Sequence, residues 1–166
     1  RMQQQGVPPN LISFNSALSA CEKGGQWERA LGILTEMYEQ VIAPDVISYN
    51  AAISACGKAQ RWEWALGMLA TMQEHHSQPN VIGLSAAISA CAKGEQWKRA
   101  LEMFTEMHAQ SLEPDVISYS AAISAYEKGE QWDKALEMLA SMQAQALEAN
   151  VISYNAAISA CEKCDQ

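Results

Sequence analysis

The chain has 166 residues, of which 49% are hydrophobic and 18% charged, and its formal net charge is −8 at pH 7. That composition is globular and soluble, and its apolar runs are broken by Ser, Asn, Glu or Lys well before the roughly 18 to 20 residues that a bilayer span requires, which excludes a membrane-spanning helix. The acidic balance argues against binding nucleic acid by bulk charge, so where the lysines stand matters more than their total.

Residues 1–10 read as the end of a preceding repeat, and with no charged-then-apolar opening the chain is expected to be a piece of a longer protein. From Leu11 a repeating unit begins. Its first half is best seen in "DVISYNAAISACGK", where Val46, Tyr49, Ala52, Ile53 and Cys56 follow the three-and-four spacing of an amphipathic helix, here termed helix A. A short Gly-containing or polar break follows ("KGG", "KAQ", "KGE", "KGE"). Helix B then starts at a tryptophan, and in "WERALGILTEMYEQ" it places Trp27, Ala30, Leu31, Leu34 and Met37 on one face.

Pro44, Pro79 and Pro114 each stand just before Asp or Asn, stopping helix B and setting up a cap for the next helix A. Ala149 replaces the fourth proline, which predicts a looser linker. Trp27, Trp62, Trp97 and Trp132 recur every 35 residues, as do Met37, Met72, Met107 and Met142. The units are therefore 11–45, 46–80, 81–115 and 116–150, with a truncated unit at 151–166. A two-helix hairpin cannot bury its apolar face alone, so an all-α solenoid of stacked hairpins is predicted.

Comparing the units separates invariant columns from variable ones. Two columns vary within a two-letter alphabet of small hydrogen-bonding side chains. The fifth position reads Asn15, Asn50, Ser85, Ser120 and Asn155; the thirty-fifth reads Asn10, Asp45, Asn80, Asp115 and Asn150. An Asp carboxylate only accepts hydrogen bonds and suits the imino NH of G or U, whereas Asn also donates and suits the ring nitrogens of A or C.

A 35-residue hairpin of the form "PDVISYNAAISACGKAQRWEWALGMLATM", with an aromatic fourth residue, "CEK" or "CGK" ending helix A, "AL" in helix B and "PD" or "PN" at the boundary, resembles the pentatricopeptide repeat (PPR) over essentially the whole chain. The resemblance implies a right-handed superhelix binding single-stranded RNA along its helix-A surface, one base per repeat, with side chains of each repeat reading the base. It pairs Asn at position 5 with pyrimidines and Ser with purines. Asn15 with Asp45 then implies U, Asn50 with Asn80 implies C or U, Ser85 with Asp115 implies G, and Ser120 with Asn150 implies A. Asn155 implies a pyrimidine, and the register is 5′-U-C/U-G-A-(C/U)-3′. The resemblance also implies that Ile12, Ile47, Ile82, Ile117 and Ile152 sandwich bases. It assigns phosphate contact to Lys23, Lys58, Lys93, Lys128 and Lys163, which would give log affinity a slope of about −3.5 against log salt. An organellar address follows from the family alone.

Other readings stand beside these. Position 35 suits helix capping as well as base reading, the lysines suit solvated helix ends, and the isoleucines suit packing between A helices. The tryptophans are expected in the core. Cys21, Cys56, Cys91 and Cys161 form a column whose fourth slot holds Tyr126, which marks it as packing rather than ligation. Five cysteines, an odd and unclustered set, favour a reducing compartment, and the lone pair Cys161 and Cys164 is a weak zinc signal. No catalytic constellation, metal set or cofactor motif is read, so the chain is expected not to be an enzyme. The competing function is a protein-binding scaffold like the tetratricopeptide repeat, against which stand the period of 35 rather than 34 and a tryptophan that opens the second helix.

Overall fold

The structure, a computed structural model, describes residues 9–163; most of the predicted 1–10 tail, and Cys164, lie outside them. The described residues form nine α-helices and no strand. These are α1 (Leu11–Lys23), α2 (Trp27–Glu39), α3 (Val46–Lys58), α4 (Trp62–Glu74), α5 (Val81–Lys93), α6 (Trp97–Ala109), α7 (Val116–Lys128), α8 (Trp132–Ala144) and α9 (Val151–Lys163). The odd-numbered helices are the A helices and the even-numbered ones the B helices. Two compact units divide between Pro79 and Asn80.

In the first unit α1 packs on α2 and α3, and α3 on α2 and α4. In the second, α5 packs on α6 and α7, α7 on α6, α8 and α9, and α8 on α9. Each B helix thus lies against its own A helix and, where one follows in the unit, the next. This is the arrangement of an all-α repeat solenoid, in which contacts run between neighbours. Invariant alanines let the A helices approach closely: Ala52, Ala55, Ala87, Ala90, Ala122 and Ala125 are wholly buried. Met37, Met72, Met107 and Met142 are also wholly buried, filling the space beneath each B helix.

Helix A starts are capped by side chains and helix B starts are not. Asn10, Asp45, Asn80, Asp115 and Asn150 each accept, through Oδ1, the backbone N–H three residues on, at 3.0, 2.9, 3.2, 2.9 and 3.0 Å. Such a cap satisfies one of the helix's orphan donors and contributes about 1 kcal/mol. Gln26, Arg61, Gln96 and Gln131, at the starts of the B helices, make no side-chain cap, so burial of Ala30, Ala65, Ala100 and Ala135 on the first turn must hold those ends. The linker lacking proline keeps the same helix ends and the same cap as its proline-containing counterparts.

Both kinds of turn need a residue in the left-handed region. Between A and B it is Gly25, Gln60, Glu95 or Glu130, and between B and A it is Val41, His76, Ser111 or Ala146. Gly25 alone among these is a glycine, so the glycines of the break do not mark the left-handed site. Three of them, Gly24, Gly94 and Gly129, end helix A at negative φ instead. At Gly129 the reason is space, since a Cβ there would lie 3.0 Å from Cε3 of Trp97.

Val41 is the most strained of the set, a β-branched residue at φ 59° whose side chain is 92% exposed and buries nothing in return. Its N–H bonds Tyr38 O at 3.0 Å and the next N–H, of Ile42, bonds Met37 O at 2.9 Å, which is the Schellman closure that glycine favours. Val41→Gly is expected to raise stability by about 1 kcal/mol, read as a higher urea midpoint at unchanged m-value.

Candidate nucleic-acid interface

Two of the expected columns come together in space. Asn15 Nδ2 donates to both carboxylate oxygens of Asp45, at 3.2 and 3.3 Å. Ser85 Oγ donates to Asp115 Oδ1 at 2.9 Å, and Ser120 Oγ lies 3.4 Å from Asn150 Oδ1. Position 5 of one unit therefore meets position 35, the residue immediately before the next helix A. Asn50 belongs to the first compact unit and Asn80 to the second. Asn155, exposed on α9, has no position-35 counterpart in this sequence.

Capping and presentation are one arrangement. The capping bond consumes Oδ1 of the position-35 residue, which turns the other half of the side chain away from the helix. For Asp45 and Asp115 that half is a second carboxylate oxygen, an acceptor; for Asn80 and Asn150 it is the NH2, a donor. Burial pushes the Asp45 carboxyl up, but the hydrogen bonds from the Ser48 N–H and from the Asn15 amide help to outweigh it and hold the group below its ordinary value. Asp45 is thus an acceptor at neutral pH.

The isoleucine column is exposed. Ile12, Ile47, Ile82, Ile117 and Ile152 are 55 to 74% accessible, so the alternative in which they pack between A helices does not hold. Ile12 and Ile47, from successive units, line one open hollow of about 500 Å³ together with Asn15, Ser16 and Ser19. Two apolar side chains thus share the hollow with the position-5 member of a polar pair.

The tryptophans stand at the margin of the core, where Trp27 and Trp132 pack against its buried clusters. Trp27, Trp62, Trp97 and Trp132 are half-buried, because each opens a helix at the edge of the stack. Trp27 meets Trp64 with ring centroids 5.9 Å apart and lies under the Arg61 guanidinium at 5.2 Å. Cys56 and Cys91 are buried, and burial pushes the Cys56 thiol up to about 11, as suits packing rather than reactivity. Among the described residues no three His, Cys, Asp or Glu side chains are grouped to hold a metal ion, and no helix is long and apolar enough to cross a membrane.

A family profile described as the pentacotripeptide-repeat region of PRORP matches residues 1–166, the whole chain. The chain belongs to the pentatricopeptide-repeat family. Solved structures similar to this PPR chain include PPR10 from maize in complex with an 18-nt psaJ RNA element, at TM-score 0.79 and 22% identity over 98% of this chain and 24% of that one. They also include the PPR domain of Arabidopsis thaliana PRORP1 in complex with tRNA, at TM-score 0.79 and 18% identity over 93% of this chain and 82% of that one. This chain therefore spans about a quarter of PPR10. A comparison with curated proteins gave no match.

The PPR lysines are all exposed but not equivalent. Lys58 Nζ lies 3.2 Å from Glu22 Oε1 and Lys163 Nζ lies 2.7 Å from Glu127 Oε1, each glutamate being the residue before the lysine of the preceding unit. The residues standing in that place before Lys93 and Lys128 are Gly57 and Ala92, which carry no charge. Sequence reasoning treated the column as uniform because the lysines are invariant; the distinction is written in the neighbouring, variable column.

A second omission is the third position, where Ser48, Ser118 and Ser153 are wholly buried beside the reading pairs. The signal was present, since Ser three residues after an Asn or Asp cap closes a reciprocal capping arrangement.

Proposed function

We propose that this PPR chain is a sequence-specific module for single-stranded RNA, not itself an enzyme, reading one base per unit over 11–45, 46–80, 81–115 and 116–150 with a further helix A in 151–166. The register is 5′-U-C/U-G-A-(C/U)-3′. The observation that carries it is the row of exposed isoleucines flanking preassembled position-5 and position-35 pairs. Such a row has little folding purpose, since it leaves large apolar side chains in water. A base entering the hollow between Ile12 and Ile47 would cover both side chains and meet Asn15, whose amide is bonded to Asp45. The fact that similar PPR chains were solved with RNA agrees with this reading. The family's organellar RNA processing supplies the cellular setting.

The test is a fluorescence-anisotropy titration against RNA carrying UCGAC, a base-permuted control, the DNA equivalent and a folded tRNA. Preference for UCGAC supports the reading. Equal affinity for the permuted strand removes the register, tighter binding to tRNA favours recognition of a folded RNA as in the PRORP1 complex, and no RNA binding by a helical sample favours a protein scaffold.

Phosphate contact falls to Lys23, Lys93 and Lys128, with Lys58 and Lys163 held in ion pairs. At roughly −0.7 per contact, the slope of log affinity against log salt is expected near −2 rather than −3.5. The double variant Glu22→Ala, Glu127→Ala is expected to steepen it to about −3.5 and to tighten binding at low salt. An unchanged slope would place these lysines outside the interface.

A further inference from the structure

The buried serines at position 3 take part in the reading pairs themselves. The Ser48 hydroxyl lies 2.6 Å from Asn15 Oδ1 and 2.9 Å from Asp45 Oδ1, and it accepts the Asp45 N–H at 3.2 Å. It has one proton, and the shorter contact to Asn15 is the better acceptor site. That proton fixes the Asn15 amide: Oδ1 faces Ser48, while Nδ2 faces the Asp45 carboxylate. The reversed amide would set its oxygen against a carboxylate and leave the Ser48 proton without the Asn15 acceptor.

Ser153 repeats this bridge in the second unit. Its Oγ lies 3.1 Å from Asn150 Oδ1 and 2.8 Å from Ser120 Oγ. Ser120 Oγ in turn lies 2.6 Å from the Val116 carbonyl, so its proton is given to its own helix, and the one proton of Ser153 is shared between Ser120 Oγ and Asn150 Oδ1. Ser118 does half of this, holding Asp115 Oδ1 at 3.0 Å while Ser85 bonds the carboxylate directly. At Gly83 there is no hydroxyl, and the recorded contact to Asn80 from this position is the backbone N–H at 3.2 Å.

We propose that Ser48 and Ser153 are positioning residues of the RNA site, which hold the position-5 and position-35 side chains in one hydrogen-bonding orientation and so set how strictly their slots discriminate bases. The inference rests on the base-reading function proposed above. Being wholly buried, neither serine touches RNA; each acts through the pair it bridges. Without the bridge, the Asn15 amide is held from the Asp45 side alone, and it turns more readily toward orientations in which its oxygen accepts where its NH2 had donated. The slot would then tolerate bases of the opposite pattern.

The experiment measures anisotropy affinities of the wild-type chain, Ser48→Ala and Ser153→Ala for RNAs carrying each of the four bases at the Asn15/Asp45 slot, the Ser85/Asp115 slot and the Ser120/Asn150 slot. Ser48→Ala is expected to lower the U preference of the first slot by about fivefold while leaving the G preference of the Ser85/Asp115 slot unchanged, the size being that of one hydrogen bond. Ser153→Ala is expected to do the same at the Ser120/Asn150 slot alone, and it keeps the test available should Ser48→Ala not fold. Full discrimination retained at the altered slot, or an equal loss at every slot, would overturn the positioning role and leave the base-reading function standing. A wild-type chain that discriminates at no slot would overturn both.

Discussion

A Ser85→Asn variant will move the preference of its slot from G to U. Ser85 is almost wholly buried and donates to Asp115, the acceptor that suits an imino NH and so accommodates G or U. What separates those two bases is the side chain at position 5, and the change copies the Asn15/Asp45 pair, in which the amide donates to the carboxylate at 3.2 and 3.3 Å. The larger side chain has precedent at this position, since Asn50 is carried there at 8% exposure. A well-matched set of polar contacts to a base edge discriminates by about 1 to 3 kcal/mol, so the ratio of affinities for UCGAC and UCUAC should swing by about 10- to 100-fold. Anisotropy titrations of both RNAs against both proteins measure it. An unmoved ratio would remove position 5 from base reading and leave position 35 as a helix cap.

The largest effect on stability is expected at Met107. Its side chain is wholly buried on the inner face of α6, one turn from Phe104, which meets Tyr119 edge-on with centroids 5.2 Å apart. Met107→Ala removes three heavy atoms from a site with little room to collapse and should cost about 2 to 5 kcal/mol. Stability in a stacked-hairpin fold is a sum over units and their neighbour contacts, so the loss should be confined to the second compact unit. Urea unfolding followed by circular dichroism is expected to split into an early and a late phase where the wild type shows less separation. Ile82→Ala, at a site 60% exposed, should by contrast stay within about 0.5 kcal/mol of wild type. A large cost at Ile82 would return the isoleucines to a packing role.

The helices, their starts and the all-α stack were legible in the sequence because a strict period makes each unit a check on the others. Asp or Asn after proline announced caps, and these form, as does the cap at Asn150, which follows Ala149. Burial was harder to read where a residue sits at the end of a helix. The tryptophans share the apolar face of helix B, yet their position at its first residue leaves them only half covered. The isoleucines could not be placed from their type alone, since an invariant aliphatic residue serves a core and an exposed binding face equally well. Left-handed turn residues escaped notice because glycine, the usual marker, fills that site only at Gly25, stands one place too early at Gly94 and Gly129, and is absent from the break after Lys58. The lysine pairing and the serine bridges depend on contacts between successive units, which comparison of units one column at a time does not reveal.

The capping bonds bear on how such a chain changes its message. Asn and Asp are about equally good at the start of a helix, and each spends only one side-chain oxygen on the cap. Exchanging one for the other reverses what the second half of the side chain offers, donor for acceptor, while leaving the helix start as firmly closed as before. Asn80 and Asp115 already stand side by side as two spellings of that kind. Most other residues at this position would lose about 1 kcal/mol of helix closure along with the polar group. The fold therefore makes a switch between these two words nearly free of structural consequence.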